Sequence, residues 1–262
     1  MMNKRSFLSA ALATMIFTLT APVAQADALE DIAAAGKIRV AVPQDFPPFG
    51  SVGADMQPQG YDIDMASLIA GKLGVTLELV PVTSTNRIPY LQTNKVDLVI
   101  SSMGKNAERE AVIDFSDAYA PFYNGVFAPA DAKITEASDL SGKVVGVTRG
   151  SIEDLELSNI APSDATLKRY EDNNGTISAF LSGQVDAIAT GNVVAAAIID
   201  RNPPKKPEMK FLIKNSPCYI GFNKGQPELM EKLDAIITEA KADGSLNAIS
   251  QKWLGLDLPD TL

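Results

Sequence analysis

Arg109 is the residue whose type and position best suit the binding of a negatively charged group. Its guanidinium can hold a carboxylate through two parallel hydrogen bonds. It follows an apolar run that ends at Ser101 and Ser102, and a short turn that contains a glycine. Open α/β sheets bind ligands at the ends of their strands, so this position predicts a carboxylate-binding site. The alternative is a surface ion pair between Arg109 and Glu110 or Asp114.

A second set of anion-binding groups is predicted at Ser151 and Ile152. Ser151 follows an Arg149-Gly150 turn and is typical of a residue that caps the start of a helix. The first backbone N–H groups of a helix have no partner within the helix and attract anions. We therefore expect these N–H groups to meet a ligand carboxylate from the side opposite Arg109.

The composition excludes several kinds of catalytic site. The 262-residue sequence contains no histidine, which excludes Ser-His-Asp and Cys-His centres and His-ligated metal sites. Cys218 is the only cysteine, so no disulfide can form within the chain, and we expect a small buried side chain rather than a reactive thiol. Catalysis by carboxylates or lysine stays open. No cofactor and no metal are expected.

The first 26 residues have the pattern of a secretory signal peptide. Lys4 and Arg5 precede an uncharged, mostly apolar run at 7–20, and small residues follow up to Ala26. Cleavage is expected between Ala26 and Asp27, which exports the mature protein. A membrane anchor is the alternative, but a span needs roughly 20 consecutive apolar residues.

The charge of the mature chain argues against nucleic acid as a partner. Without residues 1–26 the chain has 21 basic and 32 acidic residues, a net charge of −11. Binding to a duplex depends on lysine and arginine side chains that neutralise phosphates. An acidic surface otherwise indicates only solubility.

The elements that must position these groups follow an α/β pattern. Short β-rich runs alternate with helical patterns, and the alternation restarts after residue 138, which predicts two sheets covered by helices. The predicted strands are 38–42, 75–80, 96–100, 144–147, 167–170, 186–189 and 219–222. The predicted helices include 61–73, 87–93, 151–158, 176–181 and 193–200.

Two stretches lack helical periodicity and are expected to cross between two lobes. They lie near 122–129 and 212–217. A chain that leaves one lobe, builds a second and returns crosses twice, and a few extended residues can absorb a rigid-body rotation. The predicted first lobe is therefore 27–123 with 217–262, and the predicted second lobe is 126–212.

With these elements in place, the chain resembles the polar amino-acid-binding proteins of ABC importers, solute-binding protein family 3. The resemblance covers the mature length and rests on short segments in the same order and spacing. It implies a two-lobed periplasmic binding protein fold (type II), with a mixed, mostly parallel sheet in each lobe and a two-stranded hinge. The segments are Phe46-Pro-Pro-Phe49, Gly60-Tyr-Asp-Ile-Asp64, Asn86-Arg-Ile-Pro89, Val96-Asp-Leu-Val-Ile-Ser-Ser102, Glu108-Arg109, Asp114-Phe-Ser116, Arg149-Gly-Ser151 and Ser182-Gly-Gln-Val-Asp186.

The resemblance also implies roles for individual residues. In the family, the arginine at the position of Arg109 grips the α-carboxylate of the ligand, and residues that match Ser102 and Gly104 add backbone or hydroxyl contacts. Phe46 resembles the aromatic wall over the ligand. Phe49 is assigned equally well to that wall or to the core.

Arg87 is a further candidate that bears on ligand type. It lies in an Asn-Arg-Ile-Pro run like that of the glutamate/aspartate-binding branch, where a second arginine suits an acidic ligand. The alternative is an exposed arginine on a helix.

Two departures from the family pattern concern the ligand's ammonium group. Gly191, followed by the candidate Asn192, stands where the family commonly has an aspartate, and Pro43 replaces a second one. A buried ammonium without an acceptor would cost several kcal/mol. Glu153 is the best replacement, although it is equally explained as a first-turn helix acid. Weaker candidates are Asp62 and Asp154.

The function expected from the sequence is ligand capture without a chemical step. The protein is expected to be a periplasmic monomer that binds a polar amino acid, or a similar carboxylate, and delivers it to an ABC permease when the lobes close. One alternative is an enzyme that resembles cyclohexadienyl dehydratase, with Glu153 as its acid. Another is a ligand-loaded partner of a chemoreceptor.

Overall fold

Two five-stranded sheets and one small three-stranded sheet organise the computed structural model, which describes residues 27–262. The predicted signal peptide, with its cleavage after Ala26, lies outside the described residues. Within residues 27–262, no helix has the length and apolar character needed to cross a bilayer.

The first segment of the chain builds most of one lobe. In chain order its elements are α1 (Ala28–Ala35), β1 (Lys37–Pro43), β2 (Asp45–Phe46), β3 (Gly50–Val52), β4 (Pro58–Gln59), α2 (Tyr61–Leu73), β5 (Thr76–Val82), α3 (Arg87–Gln92), β6 (Leu98–Met103), α4 (Ala107–Glu110) and β7 (Ile113–Ala120).

The middle segment builds the other lobe, and the last segment returns to the first. The middle elements are β8 (Tyr123–Ala128), β9 (Val144–Thr148), α5 (Ile152–Ile160), β10 (Thr166–Tyr170), α6 (Asn173–Leu181), β11 (Ala187–Gly191), α7 (Asn192–Asp200) and β12 (Glu208–Asn215). The last elements are β13 (Cys218–Asn223), α8 (Pro227–Ala242) and α9 (Ser245–Leu254). Below, lobe 1 denotes the first and last segments, and lobe 2 the middle one.

The two large sheets have matching topologies. Lobe 1 has the order β5-β1-β6-β13-β7, and lobe 2 has the order β10-β9-β11-β8-β12. In each sheet the first three strands pair in parallel and the last two join antiparallel. The sheets are therefore mixed and mostly parallel, as the resemblance implied. Four strands of each sheet run in one direction, and β13 in lobe 1 and β8 in lobe 2 run against them.

The chain passes between the lobes at two adjacent points. The first lies at 121–122, between β7 and β8, and the second at 216–217, between β12 and β13. The backbone N–H of Ser216 donates to the carbonyl oxygen of Phe122 at 3.1 Å, which holds the two crossings side by side.

The sequence explains the helix that supports the lobe 1 side of the cleft. Helix α2 begins and ends at the predicted residues and buries Met65 and Ile69 on its core-facing side. Gly74 ends it with φ of 70°, a left-handed conformation that glycine adopts at little cost. The buried face of α2 packs with α8 and α9 on one face of the lobe 1 sheet, while α3 covers the other.

Asp27 ties the start of the described chain to lobe 1. Its Oδ1 accepts hydrogen bonds from the backbone N–H groups of Leu29, at 3.0 Å, and Leu229, at 3.1 Å. Its Oδ2 accepts one from Glu228 at 3.0 Å. A single carboxylate therefore caps the starts of both α1 and α8, whose first N–H groups lack partners within their own helices.

Replacing Asp27 by alanine is expected to lower the free energy of unfolding by about 1–2 kcal/mol, because both helix starts lose a cap. Urea denaturation of the variant and the parent protein measures this difference. The matched control is Asp131→Ala, which removes an exposed aspartate. Equal stability losses in the two variants would contradict the capping role.

Candidate functional site

A narrow cavity lies between the lobes, where strand ends of lobe 1 face helix starts of lobe 2. Six predicted site residues line it: Phe46, Arg87, Ser102, Ser151, Ile152 and Glu153. It is also lined by residues that were not predicted to bind ligand: Pro43, Asp45, Val82, Ser84, Ser101, Phe122 and Asn173. The sequence therefore located the cavity but missed about half of its wall.

Ser102 lies at the end of β6 and belongs to a buried hydrogen-bond network. Its backbone has φ of 46°, uncommon for a residue other than glycine. Its hydroxyl donates to Asp62 Oδ2 at 2.9 Å, and the Tyr119 hydroxyl donates to Asp62 Oδ1 at 2.6 Å. When Asp62 is ionised, the Ser102 proton is held by that carboxylate, and the Ser102 oxygen can only accept a further hydrogen bond.

Asp62 lies behind Ser102 and does not line the cavity. It is fully buried, and burial raises the pKa of its carboxyl to about 7, although hydrogen bonds from Tyr119 and Ser102 and the charge of Arg87 act in the opposite direction. Asp154, the other weak candidate for an ammonium contact, is held by Gly150 and Arg169 and also lies outside the cavity.

The guanidinium of Arg109 connects the two lobes beside the cavity. Arg109 is 3% exposed, and its backbone N–H donates to Asn106 Oδ1, which fixes the start of α4. Its Nη1 donates to Gly104 O at 2.8 Å in lobe 1, and its Nη2 donates to Gly150 O at 2.9 Å in lobe 2. Burial and the charge of Arg87 lower its pKa to about 9, so it stays protonated at neutral pH.

Arg109 is therefore not the exposed arginine of the surface alternative. Asp114, one of the acids considered for that pairing, forms an ion pair with Lys224.

Arg87 is buried at 5% exposure, so the interpretation as an exposed helix arginine is wrong. Its Nη1 donates to Ser101 O at 2.8 Å, its Nε to Ser84 O at 3.2 Å, and its Nη2 approaches Gly150 O at 3.5 Å. Burial lowers its pKa, while the nearby charges of Glu153 and Asp62 act in the opposite direction.

The start of α5 forms the lobe 2 wall. Ser151 is its N-cap, as predicted, and its hydroxyl oxygen accepts from the backbone N–H of Asp154 at 3.2 Å. The N–H groups of Ile152 and Glu153 lie in the first turn, where a helix offers unpaired donors. The Glu153 side chain is 4% exposed, and no ion pair within residues 27–262 includes it. Burial raises the pKa of its carboxyl, against the charges of Arg87 and Arg109.

Asp45 and Asn173 are polar cavity residues that the sequence analysis missed. Asp45 Oδ2 accepts hydrogen bonds from the Asn173 backbone N–H at 2.6 Å and from its Nδ2 at 3.3 Å, so lobe 1 contacts the start of α6 directly. A signal was present in the sequence, because Asp45 lies only two residues after Pro43, the position that departs from the family pattern.

Three predicted site residues lie outside the cavity wall. Arg109 and Gly104 are joined by the hydrogen bond described above, and Arg109 lines a separate pocket with Glu108 and Gly150. A side chain at Gly104 would overlap the hydroxyl of Ser216, which explains the glycine. Asn192 lies at the start of α7, where its Oδ1 accepts from the Tyr123 backbone N–H at 3.2 Å, and it faces a different surface groove.

Phe122 explains why the family aspartate is missing at Gly191. A Cβ atom at residue 191 would overlap the ring of Phe122. That ring lines the cavity and packs against Phe46 and Phe49, with centroid distances of 6.1 and 5.5 Å. Phe46, which is predicted to form an aromatic wall over the ligand, lines the cavity, whereas Phe49 is fully buried in the lobe 1 core, which was the alternative assignment.

Comparison with known proteins assigns the chain to a protein family. The model of the bacterial extracellular solute-binding proteins, family 3, matches residues 38–256. The chain belongs to this family. The family resemblance expected from the sequence is therefore confirmed.

Individual relatives of this solute-binding protein have similar lengths. The L-cystine-binding protein TcyJ of Escherichia coli is 27% identical over 228 residues, which cover 85% of this chain and 84% of TcyJ. The structure of a cysteine-binding protein from Campylobacter jejuni superposes with a TM-score of 0.82 at 28% identity, over 90% of this chain and 96% of that one.

A third similar protein is the ancestral amino acid-binding protein AncCDT-1, a precursor of cyclohexadienyl dehydratase. It superposes with a TM-score of 0.78 at 30% identity, over 87% of this chain and 99% of that one. These structural likenesses confirm the predicted two-lobed periplasmic binding protein fold.

Replacing Gly191 by alanine is expected to lower the free energy of unfolding by about 1–3 kcal/mol, because the added methyl group overlaps the Phe122 ring. The same change in a Phe122→Leu background should cost much less, since the overlapping ring atoms are gone. Urea denaturation of the four proteins gives the coupling between the two positions. Equal losses in both backgrounds would show that Phe122 does not limit residue 191.

The raised pKa of Asp62 predicts a specific pH dependence of stability. The folded protein holds a proton on this carboxyl up to pH about 7, whereas the ordinary value is 3.8. The folded state thus binds more protons in this window, and Asp62 makes stability fall as pH rises from about 4 to 7, by up to about 1.4 kcal/mol per pH unit. Asp62→Asn should flatten this fall in urea denaturation across that range. Parallel profiles for variant and parent would contradict the prediction.

Proposed function

We propose that this protein captures a polar amino acid in the periplasm, after removal of residues 1–26, and delivers it to an ABC permease when its lobes close around the ligand. The observation that carries the proposal is the cavity between the lobes, with the buried guanidinium of Arg87 on one side and the start of α5 on the other. The similar proteins support the ligand class, because their names give L-cystine, cysteine and amino acids as what they bind.

The α-carboxylate of the ligand is proposed to bind at the meeting point of Arg109 and α5. Arg109 Nη2 lies 2.9 Å from Gly150 O, only two residues before the first residue of α5. A carboxylate placed there receives the fork of Arg109 from lobe 1 and the N–H groups of Ile152 and Glu153 from lobe 2. Both sets of donors converge only in the closed form, so the ligand shifts the population toward closure.

The ammonium group is proposed to bind Glu153. This buried carboxylate lines the cavity on the lobe 2 side, and the position of the family aspartate is closed by Phe122 against Gly191. The Ser102 oxygen, whose proton is directed to Asp62, offers a second acceptor from lobe 1. Together they satisfy an ammonium that would otherwise lose its water without compensation.

The Asn-Arg-Ile-Pro run favours a more specific interpretation, in which the amino acid has an acidic side chain. In the structure, the donors of Arg87 face three carbonyl oxygens, those of Ser84, Ser101 and Gly150. Three of the five N–H donors of Arg87 are thus engaged by the chain itself, which leaves fewer of them for a second ligand carboxylate. We therefore propose a zwitterionic amino acid without a second carboxylate.

No chemical step is part of the proposal. The matching family is one of solute-binding proteins, and the similar protein related to cyclohexadienyl dehydratase is itself an amino acid-binding precursor. An enzyme resembling cyclohexadienyl dehydratase would require Glu153 as its catalytic acid. In this proposal, Glu153 accepts a hydrogen bond from the ligand's ammonium group instead.

Replacing Arg109 by methionine is expected to weaken amino acid binding by about a hundredfold or more, because the ligand carboxylate loses a buried, charged partner. A thermal-shift screen against the common L-amino acids first identifies the strongest ligand for the parent protein, since binding stabilises the native state. Isothermal titration calorimetry with that ligand then measures the loss of affinity.

The matched control is Arg149→Met, which removes an exposed arginine that pairs with Glu171 at the surface. It should bind within about twofold of the parent protein. Parent-like affinity of Arg109→Met would refute the assigned carboxylate site. A parent protein that binds none of the screened amino acids would refute the ligand class.

A further inference from the structure

Lys214 is a charged residue of lobe 2 whose side chain also contacts lobe 1, and the proposed function assigns it no role. It lies in β12, close to the second point where the chain passes between the lobes. Its Nζ donates to Glu156 Oε1 at 2.8 Å and to the carbonyl oxygen of Lys105 at 2.9 Å. Glu156 belongs to α5 of lobe 2, whereas Lys105 lies in lobe 1, between β6 and α4. One ammonium group therefore binds both lobes.

The lobe 1 end of this bridge lies in the segment that orients Arg109. The carbonyl oxygen of Gly104, directly before Lys105, accepts a hydrogen bond from Arg109 Nη1 at 2.8 Å. The side chain of Asn106, directly after Lys105, accepts one from the Arg109 backbone N–H at 2.9 Å. A bond to the carbonyl oxygen of Lys105 therefore fixes the backbone between the two groups that hold Arg109.

The lobe 2 end of the bridge lies on α5, the helix whose start forms the opposite wall of the cavity. Glu156 follows Ile152 by four residues, which is about one helical turn. The charge of the Glu156 carboxylate favours the protonated form of Arg109. Without Lys214, this carboxylate would compete with an anionic ligand group for the charge of Arg109. The ion pair with Lys214 offsets that competition.

The bridge lies outside the cavity and is only partly buried. The residues that form the cavity wall do not include Lys214, Lys105 or Glu156. The side chains of Lys214 and Glu156 are 31% and 27% exposed, and ion pairs with such exposure contribute little to folding stability. The bond to Lys105 has a different consequence, because a rotation of the lobes about their crossings moves its two ends relative to each other.

We propose that Lys214 is a positioning residue for ligand binding, which joins the segment before Arg109 to α5 and so stabilises the closed arrangement. The inference rests on the proposed function, because it assumes that the ligand carboxylate lies between Arg109 and α5. The population of the closed form enters the dissociation constant of every ligand in the same way. Lys214 therefore raises the affinity for all ligands by a common factor and leaves the selectivity unchanged.

The test replaces Lys214 by methionine, which keeps an unbranched side chain but removes the charge and the donors. This variant is expected to bind the strongest amino acid from the thermal-shift screen about three- to tenfold more weakly than the parent protein, since a charged hydrogen bond between the lobes is lost. Its affinity for a second, weaker amino acid from the same screen should fall by the same factor. Isothermal titration calorimetry measures both affinities.

The matched control is Lys210→Met, on the same strand. The Nζ of Lys210 also donates to a backbone carbonyl oxygen and to a carboxylate, those of Ala130 at 3.1 Å and Glu208 at 3.4 Å, but both partners belong to lobe 2. Urea denaturation should show similar losses of stability in the two variants, whereas Lys210→Met should bind within about twofold of the parent protein.

Three outcomes would refute the positioning role. They are parent-like affinity of Lys214→Met, equal losses of affinity in the two variants, and a loss confined to one of the two ligands, which would indicate a direct contact with that ligand.

The parent protein separates this inference from the proposed function. If the parent protein binds amino acids and Lys214→Met binds them equally well, the positioning role is overturned and amino acid capture stays intact. If the parent protein binds none of the screened amino acids, both are overturned.

Discussion

The carbonyl oxygen of Gly150 is the point where the two lobes and the two buried arginines meet. Arg109 donates to it at 2.9 Å, and Arg87 approaches it at 3.5 Å. Because it lies directly before α5, the same oxygen brings two positive charges of lobe 1 to the start of a lobe 2 helix, which itself favours anions. Two cations and a helix start repel each other unless negative oxygens lie between them. The closed arrangement therefore depends on acceptors at this point, which the chain supplies in part and an anionic ligand group would complete.

The sequence predicted the bounds of helices well where those bounds depend only on residues within the helix and next to it. Helix α2 has the predicted bounds, and Ser151 caps α5 as expected, since the hydrophobic pattern and the terminal residues act within a few positions. The sequence did not predict which strands, β8 and β13, run against the others of their sheets, because strand direction depends on how the chain crosses between lobes. No local pattern carries that information.

The site was predicted only in part for a similar reason. Ser151 and Ile152 are placed by their own helix and were found from sequence, whereas the pairing of Asp45 with Asn173 joins residues 128 positions apart across the cleft. The sequence could not decide whether Arg87 lies in a pocket or at the surface. The structure shows that it is buried and that its Nη1 donates to the carbonyl oxygen of Ser101. Gly191 was noticed as a departure, but its cause, the ring of Phe122, lies far away in the chain, in the segment between β7 and β8.

Phe122 has a further consequence, because it lies on one of the two segments that pass between the lobes. Its ring lines the cavity, while its carbonyl oxygen accepts a hydrogen bond from the other crossing at Ser216. The width of the cavity therefore depends on the same residue that joins the two crossings. A ligand that is too large would displace this crossing and keep the two lobes from closing fully. Selection by ligand size would then act after binding as well. A permease that recognises only the fully closed form would not accept a large ligand, even one that the cavity binds.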